Sequence, residues 1–136
     1  MRLPKNVKML PRILIRFPYR GFTIGPYIYF RSDIYENLIS DKATSENIGI
    51  LMHEQTHLKR IKRSNWIVWG IKYWLFPKFR FHEEIIATKE HMRYLKNRNV
   101  KFDIEQRAEH LSSWLYLWSV PYRVAKDSLE KIWAKL

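Results

Sequence analysis

Five consecutive residues, His53-Glu54-Gln55-Thr56-His57, carry the most specific chemistry in the chain. If the segment is helical, His53 and His57 stand one above the other on a single face and can offer two imidazoles to one tetrahedral metal ion. Glu54, next to the first histidine, can then reach a metal-activated water as general base. A catalytic zinc normally takes three protein ligands and a water, so one ligand must come from elsewhere. The chain has no cysteine, which excludes disulfides, thiolate ligands and a cysteine nucleophile. The remaining candidates are His82, His91, His110 and the adjacent pair Glu83 and Glu84.

Helical phase discriminates between the two glutamates. Phe81, Ile85, Met92 and Leu95 form an apolar stripe on the helix predicted for this region, expected to pack on the helix carrying the histidines. Glu84 borders that stripe, together with Ala87 and His91, while Glu83 falls on the opposite side beside Glu90. The expectation is an inward Glu84, with small Ala87 allowing close helix approach, and a solvated Glu83. In the histidine helix, Ile50, Glu54, Leu58 and Ile61 share a face, and an ionised glutamate among three aliphatic residues needs a partner.

These residues must be positioned by elements that the sequence also signals. "FTIGPYIYFR", residues 22–31, places Gly25 and Pro26 between two β-prone runs, the pattern of a tight hairpin. Polar punctuation over 41–45 offers Thr44 or Ser45 as N-cap for a helix reaching about Arg63. The tryptophan-rich "NWIVWGIKYWLFP" is closed by Pro77 and is too short to span a bilayer; large aromatics in a small protein are expected in the core. A further helix is predicted over about 78–97, another from Asp103 with Gln106 completing a capping box, and a last one from near Ser119 with Pro121 in its first turn. The predicted class is α+β, mainly helical, one domain over 1–136, with a small N-terminal hairpin or sheet and about four helices. Residues 1–20 form a basic segment, read as a strand or extended arm.

"HEQTHLKR" followed by "FRFHEEIIA" resembles the gluzincin pattern, in which a glutamate on a later helix completes the HExxH site. The pattern is similar to that of minigluzincins and short bacterial and phage proteins, and to that of the peptidase domain of the bacterial β-lactam sensor-transducers. "TIGPYIYFR" looks like the hairpin preceding the motif helix, and "AEHLSSWLY" and "RVAKDSLEKI" look like the closing helices. The resemblance implies a minimal zincin-like fold and zinc-dependent peptide hydrolysis. It also implies one Zn2+ per chain held by His53, His57 and Glu84, with Glu54 as catalytic base. One departure is Thr88, where many gluzincins have an acidic residue supporting a ligand histidine. His91, Tyr94 and Tyr116 are candidates for stabilising an oxyanion. Tyr27 to Arg31 is the expected strand edge for an extended substrate.

Composition supplies a rival reading. With 25 Lys and Arg against 13 Asp and Glu, the net charge is +12, which favours anionic partners without dictating fold. Basic runs such as "KRIKR", residues 59–63, interleaved with aromatics, would suit a binding module for nucleic acid or an anionic membrane surface, its metal structural or vestigial. The N-terminal segment has no apolar run long enough for a secretory signal, so the expected location is cytoplasmic.

Overall fold

The computed structural model describes residues 1–136. Three short strands, β1 (Val7–Met9), β2 (Gly21–Ile24) and β3 (Tyr27–Phe30), precede six helices: α1 (Ser32–Ile39), α2 (Ser45–Lys62), α3 (Trp66–Leu75), α4 (Pro77–Lys96), α5 (Ile104–Ser112) and α6 (Tyr122–Lys135). The class is α+β and mainly helical, as the patterning predicts, but with six helices instead of about four. The additional helices are α1, whose apolar pair Ile34 and Leu38 is buried at helical spacing, and α3 in the tryptophan-rich stretch.

The sheet order is β1-β3-β2. β2 and β3 form the predicted hairpin, with Gly25 at φ +55° in the turn, a region that glycine enters without steric cost. β1 pairs with β3 in parallel, Val7 opposite Ile28 and Met9 opposite Phe30. This corrects the expected substrate edge: Tyr27 to Phe30 is the central strand, bonded on both sides. The free edges belong to β1 and β2. A three-residue strand is too short to reveal itself by alternation, so its pairing with β3 was not legible.

Alternate residues of β3, Ile28 and Phe30, are buried with Val7, Ile34, Leu38, Leu51 and Leu58 in a core between sheet, α1 and α2. A second cluster joins Met92 of α4 to Ala108, Leu111, Ala125 and Leu129 of α5 and α6, with Phe81 and Ile85 packed against it. Phe81, Ile85 and Met92 of the predicted stripe therefore face α5 and α6, not the histidine helix. α2 and α4 run antiparallel along a different face of α4, where Ala87 is fully buried. At one end His91 lies over Gly49, so closely that a Cβ there would sit 2.1 Å from the imidazole. At the other end Arg60 meets Glu83.

That last contact corrects the reading of Glu83 as solvated. Glu83 is 1% exposed and receives Arg60 Nε at 2.5 Å and Nη2 at 2.8 Å, a bidentate pair joining α2 to α4. Two consecutive residues of α4 both turn inward because the helix is wedged between α2 on one side and α5 and α6 on the other. Glu83→Ala is expected to destabilise the protein by about 1–3 kcal/mol, since charged hydrogen bonds are lost but the partly exposed arginine can be rehydrated. Denaturant unfolding checks this value.

The caps agree with the sequence in type. Thr44 Oγ1 accepts from Asn47 N–H at the start of α2, and Asp103 Oδ1 accepts from Gln106 N–H at the start of α5, without the reciprocal bond of a full capping box. Pro121 is the N-cap of α6 and not part of its first turn. The tryptophan-rich stretch departs from expectation: α3 has no buried residue. Only one ridge of it packs, Trp69 stacked on Tyr73 with ring centroids 4.9 Å apart and Trp69 edge-on to Phe79.

Candidate metal centre

The cap at Thr44 sets the start of α2, and four-residue spacing then brings the rings of His53 and His57 together with centroids 4.8 Å apart. Their Nε2 atoms approach to 3.1 Å. From α4, Glu84 sends Oε2 to within 3.2 Å of His53 Nε2 and Oε1 to within 3.1 Å of His57 Nε2. All three side chains are buried, and they form a cluster able to hold a metal ion. Ligands at zinc distances in tetrahedral geometry stand about 3.3 Å apart; the separation of the two nitrogens, and the distance of each to its nearer Glu84 oxygen, come close to that, the two histidines meeting different oxygens of the carboxylate.

Charge is arranged to match. Burial drives His53 down to about 3, leaving a neutral imidazole that can ligate. Burial works against protonation of His57 too, but the Glu84 carboxylate raises it. Burial alone would raise Glu84; the charge of His57 and hydrogen bonds from both rings hold it well below the ordinary carboxylate range. An ionised Glu84 carboxylate set against the His57 ring is the electrostatic arrangement that a cation would take over.

Glu54 sits on the same helix beside the triad. It is buried, and burial raises its pKa. Thr23 of β2 holds it, with Oγ1 2.8 Å from Oε2 and 3.2 Å from the Glu54 carbonyl oxygen. The partner that the sequence demanded for an inward glutamate is thus a hydroxyl from the edge strand.

Glu84 is supported by residues that sequence reasoning missed. Arg107 of α5 donates from Nη2 to Glu84 Oε2 at 2.6 Å, and Tyr73 of α3 donates its hydroxyl to Oε1. Arg107 also donates from Nε to Thr88 Oγ1 at 3.2 Å and from Nη1 to Tyr116 Oη at 2.9 Å. Thr88 therefore orients the arginine that steadies Glu84, a different route from an acidic residue supporting a histidine. Nδ1 of His57 has no partner, so that ring lacks outer support. Burial raises the pKa of both Tyr73 and Tyr116, keeping each hydroxyl protonated and able to donate. For Arg107 the positive charge and the orienting effect act on a metal in opposite senses, whereas Tyr73 only orients. Tyr73→Phe is accordingly expected to weaken metal binding roughly tenfold without changing charge. Competition titration with a chromophoric chelator measures it.

The other candidates lie apart. His82 is exposed on α4, His91 packs over Gly49 and edge-on to Phe102, and half-buried His110 is outside the cluster. Of the oxyanion candidates, Tyr116 alone lines the cleft above the triad; Tyr94 lies under the Arg98 guanidinium. This cleft has a volume of about 900 Å3 and is walled by β2, α3 and residues 115–117, with His53, Glu54, His57 and Glu84 among its lining.

The fold and site together define a helical α+β protein with a buried two-histidine, one-glutamate cluster that opens on a large cleft. Comparisons with protein-family models, with curated proteins and with solved structures give no match to this chain.

Proposed function

We propose that the protein is a zinc-dependent peptide hydrolase of the gluzincin type. The observation that carries this reading is the cluster of His53 Nε2, His57 Nε2 and the two Glu84 carboxylate oxygens, with neighbouring donor atoms 3.1 to 3.2 Å apart, beside a buried Glu54 in an open cleft. Two imidazoles and a carboxylate suit zinc. The cluster offers no fourth protein donor, which favours a catalytic site over the closed site of a structural metal. Bound there, zinc would polarise a substrate carbonyl and lower the pKa of a water molecule.

The chain's own residues supply the rest. Glu54 takes the proton of the attacking water and delivers it to the leaving amine. Tyr116, whose oxygen accepts from Arg107, keeps its O–H free to donate to the carbonyl oxygen as charge develops. The edge strand orients the substrate. Arg31 N–H bonds to Arg20 O, so by antiparallel alternation Gly21 and Thr23 turn their N–H and C=O groups outward, where an extended peptide can pair with them. Gly21 is required at this edge because a Cβ would stand 2.6 Å from the Phe30 ring.

The reading is tested by incubating the zinc-loaded protein with a mixture of unstructured peptides and mapping new termini by mass spectrometry. Cleavage that stops with a chelator and returns with zinc is the expected result. A protein holding stoichiometric zinc that cuts none of them would overturn it.

A further inference from the structure

The mouth of the cleft is bordered by large apolar side chains that face water. On α3, Trp66 is 55% exposed and Trp74 71%, with Ile67, Ile71 and Leu75 between and beside them more than half exposed. Opposite, the loop after the short 3-10 turn Trp114–Tyr116 holds Trp118 at 68% exposure. Burying this face inside the molecule would be the ordinary outcome for such residues, and the fold does the reverse.

These segments form one surface. Arg80, almost fully buried, has no carboxylate partner; its guanidinium donates instead to the carbonyls of Tyr73 and Trp74 at 2.6 and 3.0 Å and to those of Tyr116 and Leu117 at 2.9 and 3.4 Å. The end of α3 and the tryptophan loop are thereby tied together. The hairpin turn joins the other end of α3, since a Cβ on Gly25 would lie 3.9 Å from the Trp66 ring, and Ile24 beside it is 58% exposed. Leu117 and Trp118 both adopt positive φ, 51° and 48°, a strained conformation for bulky residues. Both side chains are exposed at the rim in that conformation.

Charge identifies the occupant. Residues 1–32, 55–82 and 110–126, which contain every segment of the rim, include no aspartate or glutamate; all 13 acidic residues lie elsewhere. Lys62, Arg63, Lys72 and Lys78, within and flanking α3, are exposed and form no ion pair among those of the molecule. Exposed tryptophans and aliphatics bordered by unpaired cations, with acids excluded, match the boundary layer of an anionic bilayer, where amphipathic rings sit at headgroup level and lysines meet lipid phosphates. No helix is long and apolar enough to cross a membrane, so the contact is superficial. We infer that the apolar rim of the cleft docks onto an anionic lipid surface, with the cleft mouth turned toward the lipid. The docking does not depend on the hydrolytic reading.

Flotation of the full chain with vesicles, either of phosphatidylcholine alone or with phosphatidylglycerol added, at about 0.15 M salt, tests the inference. The protein is expected to float with the anionic vesicles only. Trp74→Ser combined with Trp118→Asn, the asparagine tolerating positive φ, should reduce binding roughly tenfold or more while leaving the melting temperature unchanged. Val100→Ser, an exposed apolar change beyond the far end of α4, should leave binding unaltered. Absence of flotation would overturn the proposal. So would flotation that the double substitution leaves intact, which is charge adsorption alone, or a large fall in melting temperature, which would mean that the face is packed. Sedimentation revealing a dimer that the double substitution dissociates would assign the rim to a second copy of the chain instead.

Discussion

The purified protein is expected to bind zinc one-to-one, to lose it when His53, His57 or Glu84 is replaced by alanine, and to retain it in Glu83→Ala. Each of the first three belongs to a cluster whose neighbouring donor atoms stand 3.1 to 3.2 Å apart, and removing one side chain leaves two ligands where a stable catalytic site needs three. The fall in affinity should exceed about 100-fold, beyond the 10–100-fold typical of losing an outer partner. Glu83 is engaged by Arg60 instead, so its loss acts on stability and not on metal. Glu84→Ala also strands the Arg107 guanidinium. Glu84→Gln keeps the side-chain length and an acceptor for Arg107, and separates ligand loss from unfolding. Metal analysis after gel filtration reads the outcome. Zinc retained by both Glu84 variants would remove Glu84 from the site, and zinc lost only from Glu83→Ala would exchange the roles of the neighbours.

The comparison of these glutamates marks where the sequence is informative. Four-residue spacing and the Thr44 cap made the histidine pair and its helix legible, because both are local. Glu84 could be picked by helical phase, although the stripe used as reference packs on α5 and α6. It lies at the border between that face and the one meeting α2, and either assignment turns it inward. Glu83 was misjudged because its partner Arg60 is 23 residues away on an antiparallel helix, and a wheel drawn for one helix has no second helix in it.

The supports of Glu84 share this property. Tyr73, Arg107 and Tyr116 come from three separate segments, and nothing in their spacing predicts convergence on a carboxylate. Thr88 could be noticed as a departure from the gluzincin pattern but not explained, since its hydroxyl acts on an arginine of α5. The reading of the tryptophan stretch failed for another reason: hydrophobicity reports the tendency to leave water, and whether a neighbour is available to cover the surface is decided by tertiary packing. Here α3 is covered along one ridge only.

Glu54→Gln is expected to retain zinc and fold while lowering peptide hydrolysis by roughly 10²- to 10⁴-fold, the range of general acid–base contributions. The substitution is nearly isosteric, and the side-chain oxygen of glutamine can still accept the Thr23 hydroxyl that lies 2.8 Å from the carboxylate. What disappears is the ability to take a proton from water and return it to the leaving amine. Because Glu54 is not a member of the His53, His57 and Glu84 cluster, zinc content should stay at one per chain, unlike in the histidine variants. A turnover number reduced without a matching rise in KM would place the loss in the transition state. Unchanged turnover would exclude Glu54 as the base, and zinc loss in this variant would make it a ligand. A variant that binds zinc and peptide but leaves the peptide whole would separate the two roles proposed for the HExxH segment, metal binding by the histidines and proton transfer by the glutamate between them.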